Sequence, residues 1–166
     1  MTNAALVLRP ATRDDLGFLQ ELLPRFVSFG LPPGQDEGAV LAGAAQHLMA
    51  ALAAPQSDSA LLIAWIEAED EAPRRAGFLR LDTERPLFGA PFAYLADLAL
   101  AEWAEGRGLG KLLLAQAERW AEEQGLKQVQ LHVFATNARA RRLYAQAGYS
   151  EVTLGLSKLL GRRRGG

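Results

Sequence analysis

A chain of 166 residues, 49% apolar and 22% charged, has the size and composition of one globular unit with a sizeable core. Its formal net charge of −1 supplies no basic field for nucleic acid or an anionic membrane. The absence of cysteine excludes disulfides and thiolate chemistry.

The apolar run Ala39 to Ala54 is interrupted by Gln46 and His47 and is too short to span a bilayer. Without a signal-peptide pattern at the start, the expected compartment is the cytoplasm. Leu6-Val7-Leu8 reads as a first strand ended by Arg9-Pro10. Thr12 followed by Asp15 is a capping box that opens a helix over Leu16, Leu19 and Leu22-Leu23. Gly30-Leu31-Pro32-Pro33-Gly34 is a loop, and the Ala-rich stretch Val40 to Leu52 a second helix. Leu61 to Ile66 and Gly77 to Leu81 form a hairpin around an acidic turn at Asp70. A Pro/Gly-interrupted loop, Glu84 to Pro91, leads into a long buried strand, Phe92 to Leu100. Leu109 to Glu123 is a strong helix, with Leu109, Leu112, Leu113, Ala117 and Trp120 expected on one face and Gly125 closing it. Val129, Leu131 and Val133 alternate as in a strand. Ala138 to Ala147 is a helix closed by Gly148, and a last strand or pair runs from Tyr149 to Leu160. The order predicts an α/β sheet with at least one parallel crossover, followed by a disordered tail, 161–166.

Chemistry concentrates between Tyr94 and Tyr149. The long strand passes through a short link into Glu105-Gly106-Arg107-Gly108-Leu109-Gly110-Lys111, where a helix begins. Alternate glycines let backbone approach a ligand closely, and the helix start adds free N–H groups and a positive dipole end. Such a segment suits a phosphate or pyrophosphate, with Arg107 and Lys111 adding charge. It serves equally as a tight strand-to-helix turn. A dinucleotide fingerprint from Gly106 and Gly108 would need its third glycine at position 111, which is Lys111. A triphosphate P-loop would need glycine where Glu105 stands and a hydroxyl residue where Leu112 stands.

The spacing that fits resembles the acetyl-CoA pyrophosphate loop of the GNAT superfamily of acetyl-CoA-dependent N-acetyltransferases, Gln/Arg-x-x-Gly-x-Gly/Ala. It matches at Gly108 and Gly110, with Glu105 in the first position. Asp97-Leu98-Ala99-Leu100 resembles the family's acidic-Leu-x-Val strand end. Asn137-Ala-Arg-Ala140-Arg-Arg-Leu143-Tyr144-Ala-Gln-Ala-Gly148-Tyr149 is similar at every anchor to the family's Asn-x-x-Ala-x-x-Leu-Tyr-x-x-x-Gly-Phe/Tyr. Leu8-Arg9-Pro10-Ala11-Thr12 with Asp14-Asp15 resembles its N-terminal strand and first helix.

The resemblance implies a single N-acetyltransferase domain over residues 1–160. Its fold would be a mixed, mostly antiparallel sheet flanked by helices and splayed between the fourth and fifth strands. It further implies that the backbone of Leu98, Ala99 and Leu100 holds the pantetheine arm and that Glu105, Gly106, Arg107, Gly108, Leu109, Gly110 and Lys111 hold the pyrophosphate. Asn137 would contact the arm, and Tyr144 would point its hydroxyl at the thioester sulphur. A carboxylate at Glu105 repels a pyrophosphate unless the side chain turns outward, where Arg107 offsets it. The reaction implied is direct transfer of acetyl to an uncharged amine, with no metal. A non-catalytic acyl-CoA-binding module is the alternative.

Two residues qualify as general base. His132, five before Asn137, stands where some members carry glutamate, and an unperturbed histidine pKa of ~6.5 suits the task. Asp97 lies at the strand end, where it could equally brace a bulge. Tyr144 could instead be core and Asn137 a helix cap. For the acceptor pocket the candidates are Phe26, Phe29, Leu31, Phe88, Phe92 and Trp103, with Asp36, Glu37, Asp82 and Glu84 as possible attractors of a cationic amine. The expected partners are acetyl-CoA and an amine acceptor, the chain being a monomer or homodimer. His47 belongs on a helix surface.

Overall fold

The computed structural model describes residues 5–69 and 71–160. Asp70, expected at the hairpin turn, and the tail 161–166 lie outside the described residues. A five-stranded open sheet has the order β1 (Ala5–Pro10), β2 (Ser59–Ala68), β3 (Glu71–Glu84), β4 (Phe92–Leu100), β5 (Val129–Gln130). The first four strands pair antiparallel in sequence, as consecutive hairpin-linked strands do. β5 runs parallel to β4, which requires a crossover. α3 (Leu109–Glu123) supplies it. Helices α1 (Leu16–Leu22) and α2 (Glu37–Ala53) cover one face, and α3 with α4 (Ala138–Gln146) the other.

Period-two alternation on β3 feeds both layers. Phe78 turns to one side, joining Ile63, Ala99, Leu19, Leu22 and Leu48. Leu79 and Leu81 turn to the other, joining Leu95, Leu113, Leu114 and Ala117. The entrance to α1 is fixed by Asp15. Its carboxylate accepts the Thr12 N–H at 2.8 Å, as the capping box predicts, and also receives Arg75 Nε at 2.8 Å from β3. Asp36 caps α2 by accepting the Ala39 N–H at 2.7 Å.

Three expectations are corrected. The strand over Val129, Leu131 and Val133 is paired only at Val129–Gln130, through Ala93↔Val129 and Tyr94↔Gln130; beyond that the chain departs from β4. Residues 149–160 form no strand among the described residues. Val152, Leu154 and Leu156 alternate as strand residues would, but they pair with no strand among the described residues and stay exposed. On α3 the buried set is Leu109, Gly110, Leu113, Leu114, Ala117 and Ala121, while Leu112 is 50% exposed. At 3.6 residues per turn Leu112 lies roughly 130° around the helix from the centre of that set.

Leu113 is fully buried between α3 and the sheet. Leu113→Ala should therefore cost about 2–5 kcal/mol in urea unfolding. Leu112→Ala should stay within about 1 kcal/mol of the parent. Equal losses would contradict this orientation of α3.

Candidate active site

β4 carries the site because its two edges differ. Toward β3 the ladder continues through Leu98, Ala99 and Leu100, opposite Leu79, Phe78 and Gly77. Toward β5 it stops after Tyr94. From there to Leu100 the backbone groups directed at β5 have no strand to meet, and a buried amide edge of that kind needs a partner. A register shift between Arg80 and Leu81 of β3 adds a bulge at Ala96, which twists β4 further at the point where the strands part.

At the C-terminal end of β4 a 3₁₀ turn (Glu102–Ala104) leads into Glu105 and the glycine loop. Gly106 and Gly108 hold φ of 72° and 77°, a left-handed conformation open to glycine without cost. Gly108 is the residue from which α3 starts, so the first-turn N–H groups of α3, without helical acceptors, open onto this loop. Gly110 has a different reason to be glycine. It is an ordinary helical residue, and a Cβ there would meet Leu143 Cδ2 of α4 at 3.0 Å. Close packing of α3 on α4 is what disfavours a side chain there, with no positive φ involved. Arg107 and Lys111 are exposed at the loop. Trp103, expected beside the acceptor, instead lies under Arg74, whose guanidinium carbon is 4.0 Å from the ring centre, with Arg107 near the same ring.

Glu105 does turn aside. Its Oε1 accepts from Arg25, in the 3₁₀ turn after α1, and its Oε2 accepts from Arg139 of α4 at 2.5 Å. Partial burial pushes its carboxyl up, but the hydrogen bonds and charges of Arg139 and Arg25 outweigh this and hold it below the usual carboxylate range.

Asn137 caps α4, its side-chain oxygen accepting the Ala140 N–H at 3.0 Å, which leaves its amide NH₂ available. Two turns on, Tyr144 packs in the cluster that contains Leu98, Leu131 and Leu143, its ring 6.0 Å from that of Tyr149. Burial raises its phenol above the ordinary tyrosine value, so it stays protonated through the neutral range. The Tyr149 hydroxyl is buried without a hydrogen-bond partner.

His132, two residues past β5, reaches back across the opening. Its Nδ1 lies 2.9 Å from the Tyr94 hydroxyl of β4, the rings edge to face at 5.5 Å. Burial, then the Asp97 carboxylate, push the Tyr94 phenol up, so it too is a neutral partner. Asp97 is engaged differently: Arg80 donates through Nε to its Oδ2 at 2.7 Å and through a second nitrogen to Asp82 at 2.6 Å. Asp97 is thereby tied into an ion pair. His132 carries no such tie.

The segment after α1 borders this opening, anchored by Arg25 on Glu105 and by Phe29, whose ring lies 6.0 Å from Phe134. Phe26 is core, edge-on to Phe78. Phe88 is 87% exposed in its loop and lines nothing. His47 lies exposed on α2.

The profile of the Acetyltransferase (GNAT) family matches residues 35–149, which span α2 through α4 and every element of the opening. The chain belongs to the GNAT acetyltransferase family. Among its relatives is the uncharacterized N-acetyltransferase YycN of Bacillus subtilis, 34% identical over 96 residues, 58% of this chain and 51% of YycN. The crystal structure of YycN superposes with a TM-score of 0.68 at 25% identity, covering 95% of this chain and all of YycN's. Aminoglycoside N(6′)-acetyltransferase type 1 of Serratia marcescens is 32% identical over 74 residues, 45% of this chain and 51% of that enzyme. A Clostridium acetobutylicum acetyltransferase solved with acetyl-CoA shares the fold, with a TM-score of 0.67 at 15% identity over 93% of this chain and 96% of its own. The chain spans about half the length of the curated relatives it matches. No helix among the described residues is long and apolar enough to cross a membrane.

The GNAT opening thus brings together Leu98–Leu100, the loop 105–111, Asn137, Tyr144 and His132, and it holds Asp97 in an ion pair. Sequence reasoning missed Tyr94, Arg25, Arg139 and Arg80. Tyr94 follows from the parallel register, because it faces Gln130 and so lies diagonal to His132. The three arginines carry no spacing signal.

Left-handed backbone at Gly108 has a direct consequence. Gly108→Ala should cost about 1–2 kcal/mol in urea unfolding, although open space surrounds the new methyl group. An unchanged midpoint would contradict the φ of 77°.

Proposed function

We propose that this protein is an N-acetyltransferase that moves the acetyl group of acetyl-CoA directly to a primary amine. The observation carrying the reading is that β4 loses its β5 partner after Tyr94 and runs on unpaired on that side to Leu100, ahead of the glycine loop and the first turn of α3, so an open amide edge leads toward an anion seat. An extended, amide-bearing arm ending in a pyrophosphate matches both halves of that arrangement. In this reading Leu98, Ala99 and Leu100 pair with the arm. The loop N–H groups, Arg107 and Lys111 hold the pyrophosphate, and the free amide of Asn137 contacts the arm.

Direct transfer asks the protein for two proton tasks. The attacking amine must lose a proton, and the departing thiolate must be stabilised. His132 serves the first. In the tautomer that donates Nδ1–H to the Tyr94 oxygen, Nε2 is free to accept a proton from the amine or from an intervening water. Tyr144 serves the second, since a neutral phenol on α4 is a hydrogen-bond donor to the thiolate. Asp97 keeps Arg80 and the bulge in place. The acceptor side carries Asp82, Asp97 and Glu84 against Arg80, an excess of negative charge that favours a cationic amine. Kinship to an aminoglycoside acetyltransferase supports including polycationic amines in an acceptor panel.

Acetyl-CoA or CoA should raise the melting temperature by mass action, where NAD and ATP do little. In a thiol-release assay across amines, Tyr144→Phe should lower kcat by roughly ten- to a thousandfold with CoA affinity intact. Wild-type turnover in that variant would remove the phenol from the reaction.

The pH profile separates the second role. If His132 removes the proton, the acid limb of kcat/KM should be lost in His132→Ala. The alkaline limb, set by the phenol that burial raises, should fall above the ordinary tyrosine range and vanish in Tyr144→Phe. A profile unchanged by His132→Ala would assign proton removal elsewhere.

A further inference from the structure

We propose that Arg139 is a pyrophosphate-binding residue and that Glu105 is the residue that positions it, an inference that rests on the acetyl-CoA reading above. The two oxygens of Glu105 go to different arginines on different elements, Oε1 to Arg25 and Oε2 to Arg139. The carboxylate is 22% exposed and Arg25 29%, whereas Arg139 is 61% exposed. Arg25 and Glu105 thus cancel in the protein-facing half of the triad. The positive charge that remains is on Arg139, at the solvent side of the loop.

A guanidinium presents five N–H donors in a rigid fork, and one nitrogen of Arg139 is engaged with Glu105. The others are available to an anion seated on the same loop, beside Arg107 and Lys111. An exposed arginine in the first turn of α4 would otherwise sample many rotamers. The tie to Glu105 removes that freedom before the ligand arrives, which lowers the entropy lost on binding. The carboxylate at the first position of the loop is therefore a handle that brings a cation over from α4.

The sign of one substitution separates this role from plain charge repulsion. Glu105→Gln removes a negative charge beside the pyrophosphate, so repulsion alone predicts tighter CoA binding. Positioning predicts weaker binding, by roughly three- to tenfold, because Arg139 loses its charged partner. Calorimetric titration of CoA at low salt should show that loss. Arg139→Gln should weaken CoA by roughly tenfold or more, and the double variant should be no worse than Arg139→Gln, since the two side chains act as one unit. Pantetheine, which lacks the pyrophosphate, should bind all four proteins alike in an NMR titration, which also certifies that each is folded. Tighter CoA binding by Glu105→Gln, additive losses in the double variant, or an equal loss for pantetheine would each overturn the proposal. A wild type that binds no CoA would instead overturn the reading of the site, and this inference with it.

Discussion

Everything at the site depends on a ladder that ends early. β4 and β5 share Ala93↔Val129 and Tyr94↔Gln130 and then separate. Continued pairing would have satisfied the amides of β4 within the sheet and left no room between the strands. Their parting leaves a row of backbone groups that only a ligand or water can satisfy. β4 is paired with β3 along its whole length, and α3 and α4 pack on the sheet through Leu113, Leu114, Ala117, Leu143 and Tyr144. The opening is thus built into the core, and its position is fixed by the bulge at Ala96 and by the start of α3.

Charge is arranged around that opening by pairing. Arg80 binds Asp97 and Asp82, and Glu105 is bound by Arg25 and Arg139. Arg107, Lys111 and the outer part of Arg139 stay exposed beside the loop. Two phenols raised by burial, Tyr94 and Tyr144, stay neutral donors or acceptors through the physiological range. His132 hydrogen-bonds Tyr94 and makes no ion pair among the described residues.

Features governed by local rules were readable from the residues. The capping box at Thr12 and Asp15, the glycine loop, α3 and its closing glycine, and the Asn137-to-Tyr144 helix each follow from spacing along a few turns. What could not be read depends on what lies opposite. Val133, Val152, Leu154 and Leu156 have strand alternation, yet alternation does not say whether a segment meets a partner strand, and these do not. The partners of Glu105 lie 80 and 34 residues away along the chain, so no local pattern could supply them. Tyr94 with His132 is of the same kind, a contact created by register between strands that the sequence separates by a helix.

The central claim is that the open edge of β4 and the loop that follows it form one continuous binding surface. Hydrogen–deuterium exchange with and without CoA tests it directly. Leu98, Leu100, the loop amides from Gly106 to Gly110 and the first turn of α4 should gain protection together on binding. The β2–β3 hairpin, already paired, should be unchanged. Protection confined to the loop, or appearing on the hairpin in place of β4, would contradict the account.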